Sequence, residues 1–137
     1  MKTVAKLLIK NNEKYLMMYR SDHPTFGADP DLPGGTAEDD ESALQTMLRE
    51  VEEEVGYKVI TNVHELFSGI GYSKNGTHYS LFVTEVTERP KITMSWEHSS
   101  YEWISRDEFI SKALAAKDTY MHMVGEQLGL YANSKSS

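Results

Sequence analysis

The stretch from Glu41 to Val55 constrains the fold more than any other part of the chain. Leu44, Met47, Leu48, Val51 and Val55 recur at i, i+3, i+4, i+7 and i+11, the spacing of one apolar stripe on a helix. Asp39 or Asp40 is placed to cap its start, and Gly56 to end it in a left-handed conformation. On a wheel centred on the stripe, Glu53, Glu50 and Glu54 fall at roughly 180°, 240° and 280°, while Glu52 falls near 80°. Four glutamates that look alike in a count are therefore not equivalent. Three share one flank and the fourth lies on the other.

Three anions on one flank repel, which raises their pKa values and strains the helix unless a cation intervenes. Magnesium suits such a group, because it prefers oxygen ligands and binds through a few carboxylates together with substrate phosphates. The charge distribution agrees. The net charge is −7, an awkward value for a protein handling polyanions. Yet the segment from Asp29 to Glu54 holds ten acidic residues and only one basic residue, Arg49, so the remainder is slightly basic. An acidic patch admits phosphate only with a cation between them. A broad basic surface for nucleic acid is not expected.

The rest of the chain reads as α/β. Thr3–Ile9 and Lys14–Tyr19 form a predicted hairpin around Asn11-Asn12, followed by a loop over Ser21–Asp31 containing Pro24, Gly27 and Pro30. Val59–Ser73 and Thr77–Val86 are strand-like and joined through Lys74-Asn75-Gly76, whose Asn-Gly is a strong hairpin signal. A short strand over Tyr101–Ser105 and helices over Arg106–Ala116 and Asp118–Tyr131 follow, then a polar tail, 132–137, expected to fray. Interleaved strands and helices imply one α/β domain over 1–131 with a mixed sheet. Met17, Met18, Met121 and Met123 read as core filler. With no cysteine, disulfides and thiolate metal sites are excluded. Met1–Ile9 reads as a strand rather than a leader, and no apolar run approaches the ~20 residues of a membrane span. A cytoplasmic setting without nucleic-acid or membrane partners is expected.

Gly35, Glu41, Arg49, Glu50, Val51, Glu53, Glu54, Gly56 and Tyr57 resemble the Nudix box: G, five residues, E, seven residues, R-E, an apolar residue, any residue, E-E, any residue, G, an apolar residue. The match spans 23 residues without a gap, and Tyr57 stands where the family more often has an aliphatic residue. Leu32-Pro33-Gly34-Gly35 ahead of the box resembles the family too. The resemblance implies an α/β/α sandwich and a hydrolase that uses water to cleave a diphosphate linkage in a nucleotide-like substrate. It implies magnesium, with manganese able to substitute, held by Glu50, Glu53, Glu54 and the backbone carbonyl of Gly34. Glu53 is also a candidate catalytic residue. Arg49 stands among the catalytic candidates as well, although it and Glu41 match a pair that keeps loop and helix in register. Gly35 and Gly56 are structural.

Outside the box, Glu97 precedes the Glu102-Trp103 pair. Many family members carry a glutamate there that binds a further metal or acts as general base. His98 reads as a bystander. Arg20 is a candidate phosphate contact, and Phe26 and Tyr72 are candidate stacking residues for a base. Tyr72 lies 15 residues beyond Tyr57, near where relatives acting on dinucleoside polyphosphates can carry a tyrosine. The small size fits a nucleoside triphosphate pyrophosphohydrolase, with dinucleoside polyphosphates or nucleotide sugars as alternatives. A silent nucleotide sensor is disfavoured because every box carboxylate is present. An isomerase of the same fold is disfavoured because its chemistry needs a cysteine. A homodimer is possible, as in many relatives.

Overall fold

A computed structural model describes residues 2–21 and 28–136, the last five for their backbone alone. The first hairpin forms as expected: β1 (Thr3–Asn11) pairs antiparallel with β2 (Lys14–Arg20), and Asn12 turns it at φ 54°. β1 then pairs in parallel with β6 (His78–Val86) from Thr3↔His78 to Asn11↔Val86. β6 in turn pairs antiparallel with β5 (Val63–Gly69). On the other side β2 pairs antiparallel with β7 (His98–Ser105).

The join between β1 and β2 is short, at Lys10↔Tyr15 and Asn11↔Lys14. Beyond it the two strands take different neighbours. β4 (Gly34–Thr36) pairs with Val4–Lys6 of β1, while β3 (Pro30–Asp31) pairs with Met18 and Tyr19 of β2. The mixed sheet is thus split at one end, with the segment from Pro30 to Thr36 lying in the split. Gly34 makes this possible. Its φ is +147°, and a Cβ there would lie 2.4 Å from the Ala5 carbonyl oxygen and 2.5 Å from the Lys6 Cα.

β1 is buried on both faces, and its alternation builds two cores. Ala5, Leu7 and Ile9, with Leu16 and Met18 of β2, pack against Met47, Val51 and Val55 of α1 (Ala43–Val55). Leu8, Met17, Leu81 and Val83 pack on the opposite face against Phe109 of α2 (Arg106–Leu114) and Tyr120, Met121 and Val124 of α3 (Thr119–Ser136). This is an α/β/α sandwich, and all four methionines expected in the core are fully buried.

Several boundaries differ from expectation. The cap of α1 is Ser42, whose hydroxyl accepts from the Gln45 amide while the Gln45 side chain accepts from the Ser42 amide. This reciprocal capping box displaces Asp39 and Asp40 and leaves Glu41 outside the helix. Leu44 and Leu48 are exposed, so the core stripe is narrower than the spacing indicates, with Thr46 buried beside it. Gly56 does end the helix, at φ 72°. The β5–β6 connection is not a two-residue turn. It runs from Ile70 to Thr77, held by Ser73 and Asn75 side chains that accept from the Thr77 amide. β7 begins at His98 rather than Tyr101, and α3 continues to Ser136.

Candidate active site

The split in the sheet opens a cavity of about 740 Å³, within the range of small-ligand sites. Glu50 and Glu54 reach it from α1, Glu97 from the loop before β7, and Gly34 and Gly35 from β4. Lys2 enters from just before β1, Lys6 from β1, Arg20 from the end of β2 and Asp31 from β3, with Asp118 just before α3 and Tyr120 in its first turn.

The loop carrying Glu97 is tied to the end of α1. The Thr93 amide donates to the Val55 carbonyl at 2.9 Å, and the Ser95 hydroxyl donates to Glu54 at 2.9 Å. From the other side the Ser21 amide donates to the Glu97 carbonyl at 2.9 Å. These bonds set Glu97 beside two carboxylates it is far from in sequence. The electrostatics register the crowding. Burial pushes the Glu50 carboxyl up, the bond and charge of Arg49 pull it back, and Glu53 and Glu97 raise it further. Burial also pushes up Glu54, and the charges of Glu97 and Glu50 add to that.

Arg49 is the counterweight. Its guanidinium donates to Glu41 at 2.7 and 3.0 Å, to Glu50 at 2.9 Å, to Glu53 at 3.1 Å and to the Thr36 carbonyl at 3.4 Å. Glu41 also accepts from the Glu38 amide and the Thr46 hydroxyl, both at 2.9 Å. The Arg49–Glu41 pair therefore ties the loop to the helix. Gly35 has a steric reason: a Cβ there would lie 2.5 Å from the Glu50 carboxyl carbon.

The sequence candidates do not all converge. Glu53 does not line the cavity; its side chain is 59% exposed and hydrogen-bonded to Arg49. Tyr72 does not line it either. Its hydroxyl donates to Glu126 and accepts from Gln127, and its ring packs edge-on against Phe67. Phe26 lies outside the described residues. Arg20 lines the cavity with its guanidinium 3.6 Å from both Asp31 and Asp118.

Sequence reasoning missed the buried polar chain beneath the site. Asp31 accepts from Lys6 Nζ at 2.6 Å, sits 2.9 Å from His98 Nε2 and caps its own loop through the Leu32 amide. His98 is buried, and its Nδ1 lies 3.7 Å from Glu54 Oε2. Asp31 was hidden because a lone aspartate in a Pro-rich loop resembles an ordinary turn residue. The one available signal was Lys6, a charge inside an apolar strand.

Among the described residues no three His, Asp or Glu side chains form a ready-made metal cage. The donor set nevertheless fits a hard cation: Glu50, Glu54, Glu97 and the Gly34 carbonyl are all oxygen donors. The Gly35 cradle also leaves room for the Glu50 carboxylate against the loop backbone.

The family model described as NUDIX domain matches residues 1–123. The chain belongs to the Nudix family. Like the family's hydrolases, it is a diphosphohydrolase. Solved Nudix structures share its fold. The MutT protein from Methanosarcina mazei Go1 superposes with a TM-score of 0.74 at 20% identity, covering 98% of this chain and 95% of that one. A C. elegans Ap4A hydrolase superposes at 0.70 and 15% identity, covering 99% and 98%. The E. coli dihydroneopterin triphosphate pyrophosphohydrolase superposes at 0.63 and 22% identity, covering 91% and 92%. The curated proteins contain no match to the sequence. Neighbours named for different substrates thus share one Nudix scaffold, and the fold does not choose among them. Among the described residues no helix is long and apolar enough to cross a membrane.

Proposed function

We propose that this Nudix protein is a magnesium-dependent nucleoside triphosphate pyrophosphohydrolase. One observation carries the reading: Glu50, Glu54 and Glu97 converge on a cavity that also presents Lys2, Lys6 and Arg20. Carboxylates suit a metal, and cations suit the phosphates that follow it.

Glu50, Glu54 and the Gly34 carbonyl would hold magnesium, which when bound supplies charge neutralisation and Lewis acidity at the phosphoryl oxygens. Manganese can replace it, having the same preference for oxygen donors. Glu97 faces the cavity and accepts the proton of the attacking water. The new bond joins the water oxygen to phosphorus, and the bridging P–O bond breaks. Arg49 does not touch the reacting atoms. It holds the Glu50 carboxylate in place and keeps Glu53 beside it, where Glu53 adds negative charge to the approach of a cation. Arg20 neutralises phosphate charge while Asp31 and Asp118 limit its travel.

The test is a screen of nucleoside triphosphates, dinucleoside polyphosphates and nucleotide sugars in magnesium, read as the nucleotide products separated by chromatography. The expected outcome is highest kcat/KM on a nucleoside triphosphate, with a nucleoside monophosphate and diphosphate as products. Preference for a dinucleoside polyphosphate or a nucleotide sugar overturns the substrate and leaves the hydrolase standing.

A further inference from the structure

Among the described residues, Tyr79, Tyr120 and Trp96 are the tyrosines and tryptophan that line the cavity. Two of them are committed. Tyr79 and Tyr120 are 8% and 2% exposed, and they meet edge to face with centroids 5.0 Å apart. The Tyr120 hydroxyl donates to the Ser80 carbonyl, and the Tyr79 hydroxyl bonds Thr119. Neither ring offers a face to a ligand without dismantling the core around it.

Trp96 is the opposite case. It is 84% exposed although it lines the cavity. Tryptophan is ordinarily well buried, and Trp103 follows that pattern, packed against the α1-side core with Arg89 5.2 Å from its ring centroid. The backbone under Trp96 is nonetheless held firmly. Its carbonyl accepts from the Ser21 hydroxyl at 2.6 Å, and the neighbouring Glu97 carbonyl accepts from the Ser21 amide. Ser95, on the other side, bonds Glu54. The indole therefore stands on a braced loop, one residue from Glu97, with its faces open.

We propose that Trp96 stacks on the planar ring of the substrate's nucleoside, so that the site takes nucleoside polyphosphates with the base at the Glu97 side of the cavity. This rests on the nucleotide reading above and extends it to a residue that the family motif does not contain. Stacking needs a π face and not a particular pattern of donors, so it adds affinity for any base. The discrimination it confers is between ring-bearing and ring-less polyphosphates. It also explains how a site rimmed by carboxylates gains affinity by a route that charge repulsion does not weaken.

The experiment has a kinetic and a binding arm. In magnesium, with ATP and GTP, Trp96→Ala should raise KM about tenfold on both, within the range for a base stacked on an aromatic ring, and leave kcat within about twofold. Trp96→Phe should recover most of the loss. In the binding arm, a methylene-bridged ATP analogue should quench indole emission of the parent. The quench should vanish in Trp96→Phe, and methylenediphosphonate, which lacks a ring, should not cause it. An unchanged KM in Trp96→Ala, a quench that persists in Trp96→Phe, or an equal quench by methylenediphosphonate overturns the proposal. If the parent turns over neither nucleotide, the substrate reading fails by itself and the quench decides the stacking. Because the ring is exposed, its removal leaves the fold intact, which circular dichroism checks.

Discussion

Glu50→Gln and Glu54→Gln should each lower turnover by about a thousandfold, whereas Glu52→Gln should stay within about threefold, the usual size of an effect on a surface group away from the chemistry. The contrast follows from the cavity, which Glu50 and Glu54 line and Glu52 does not. Stability separates these variants further. Burial and neighbouring charge raise the Glu50 and Glu54 carboxyls, so in the metal-free protein both ionised groups oppose folding at neutral pH. That penalty is present above their folded pKa values and disappears as pH falls below the unfolded value, near 4.3. Glu54→Gln should therefore match or exceed the metal-free melting temperature of the parent at pH 7. It should also lose the rise that magnesium gives the parent. Glu53→Gln should fall between the extremes, because Glu53 does not line the cavity but acts on Glu50 through its charge and through their shared Arg49.

Asp31→Ala should cost about 3–5 kcal/mol in urea unfolding at pH 7, the range for breaking a buried ion pair. Lys6 and His98 are buried beside it, and removing the carboxylate strands both. Burial alone would raise the Asp31 carboxyl. The charge of Lys6, hydrogen bonds from His98 and Lys6, and the charge of Arg20 outweigh it and hold the group well below the usual carboxylate range. A folded pKa below the unfolded one means that the contribution is complete above pH 4 and fades as pH falls through the folded value. The gap between parent and Asp31→Ala should thus hold from pH 8 to pH 5 and close only in strong acid. A gap that closes already by pH 6 would contradict the assignment of the effect to the Asp31 carboxylate.

The local patterns were legible in the sequence. A helix with carboxylates on one flank, an Asn-turned hairpin and a left-handed Gly56 all follow from the period of the chain and from backbone sterics. The resemblance to the Nudix box added what periodicity cannot supply, the roles of Gly35, Glu41 and Arg49. What stayed hidden depends on contacts between distant segments. Nothing in its own neighbourhood says that Glu97 is pinned to α1 through Thr93 and Ser95. His98 reads as a loop residue because strand β7 starts there only by pairing with Arg20. Glu53 illustrates the limit of the wheel. Its angle places it near Glu50 and Glu54, and one Arg49 nitrogen does bond both Glu53 and Glu50, yet its side chain is largely exposed and outside the cavity lining. Tyr72 shows the same for spacing counted along the chain: a suitable offset from the box, yet a hydroxyl bonded to α3 outside the cavity.

The most direct measurement is diphosphate-linkage hydrolysis by the full chain on whichever nucleotide it turns over fastest, followed through removal of divalent cations and their return. Excess chelator should abolish turnover, magnesium should restore it fully and manganese at least in part. The same additions should raise the melting temperature of the parent, as Glu50 and Glu54 cease to repel. Undiminished turnover in excess chelator would contradict the assignment of Glu50, Glu54 and Glu97 to a metal-dependent diphosphohydrolase.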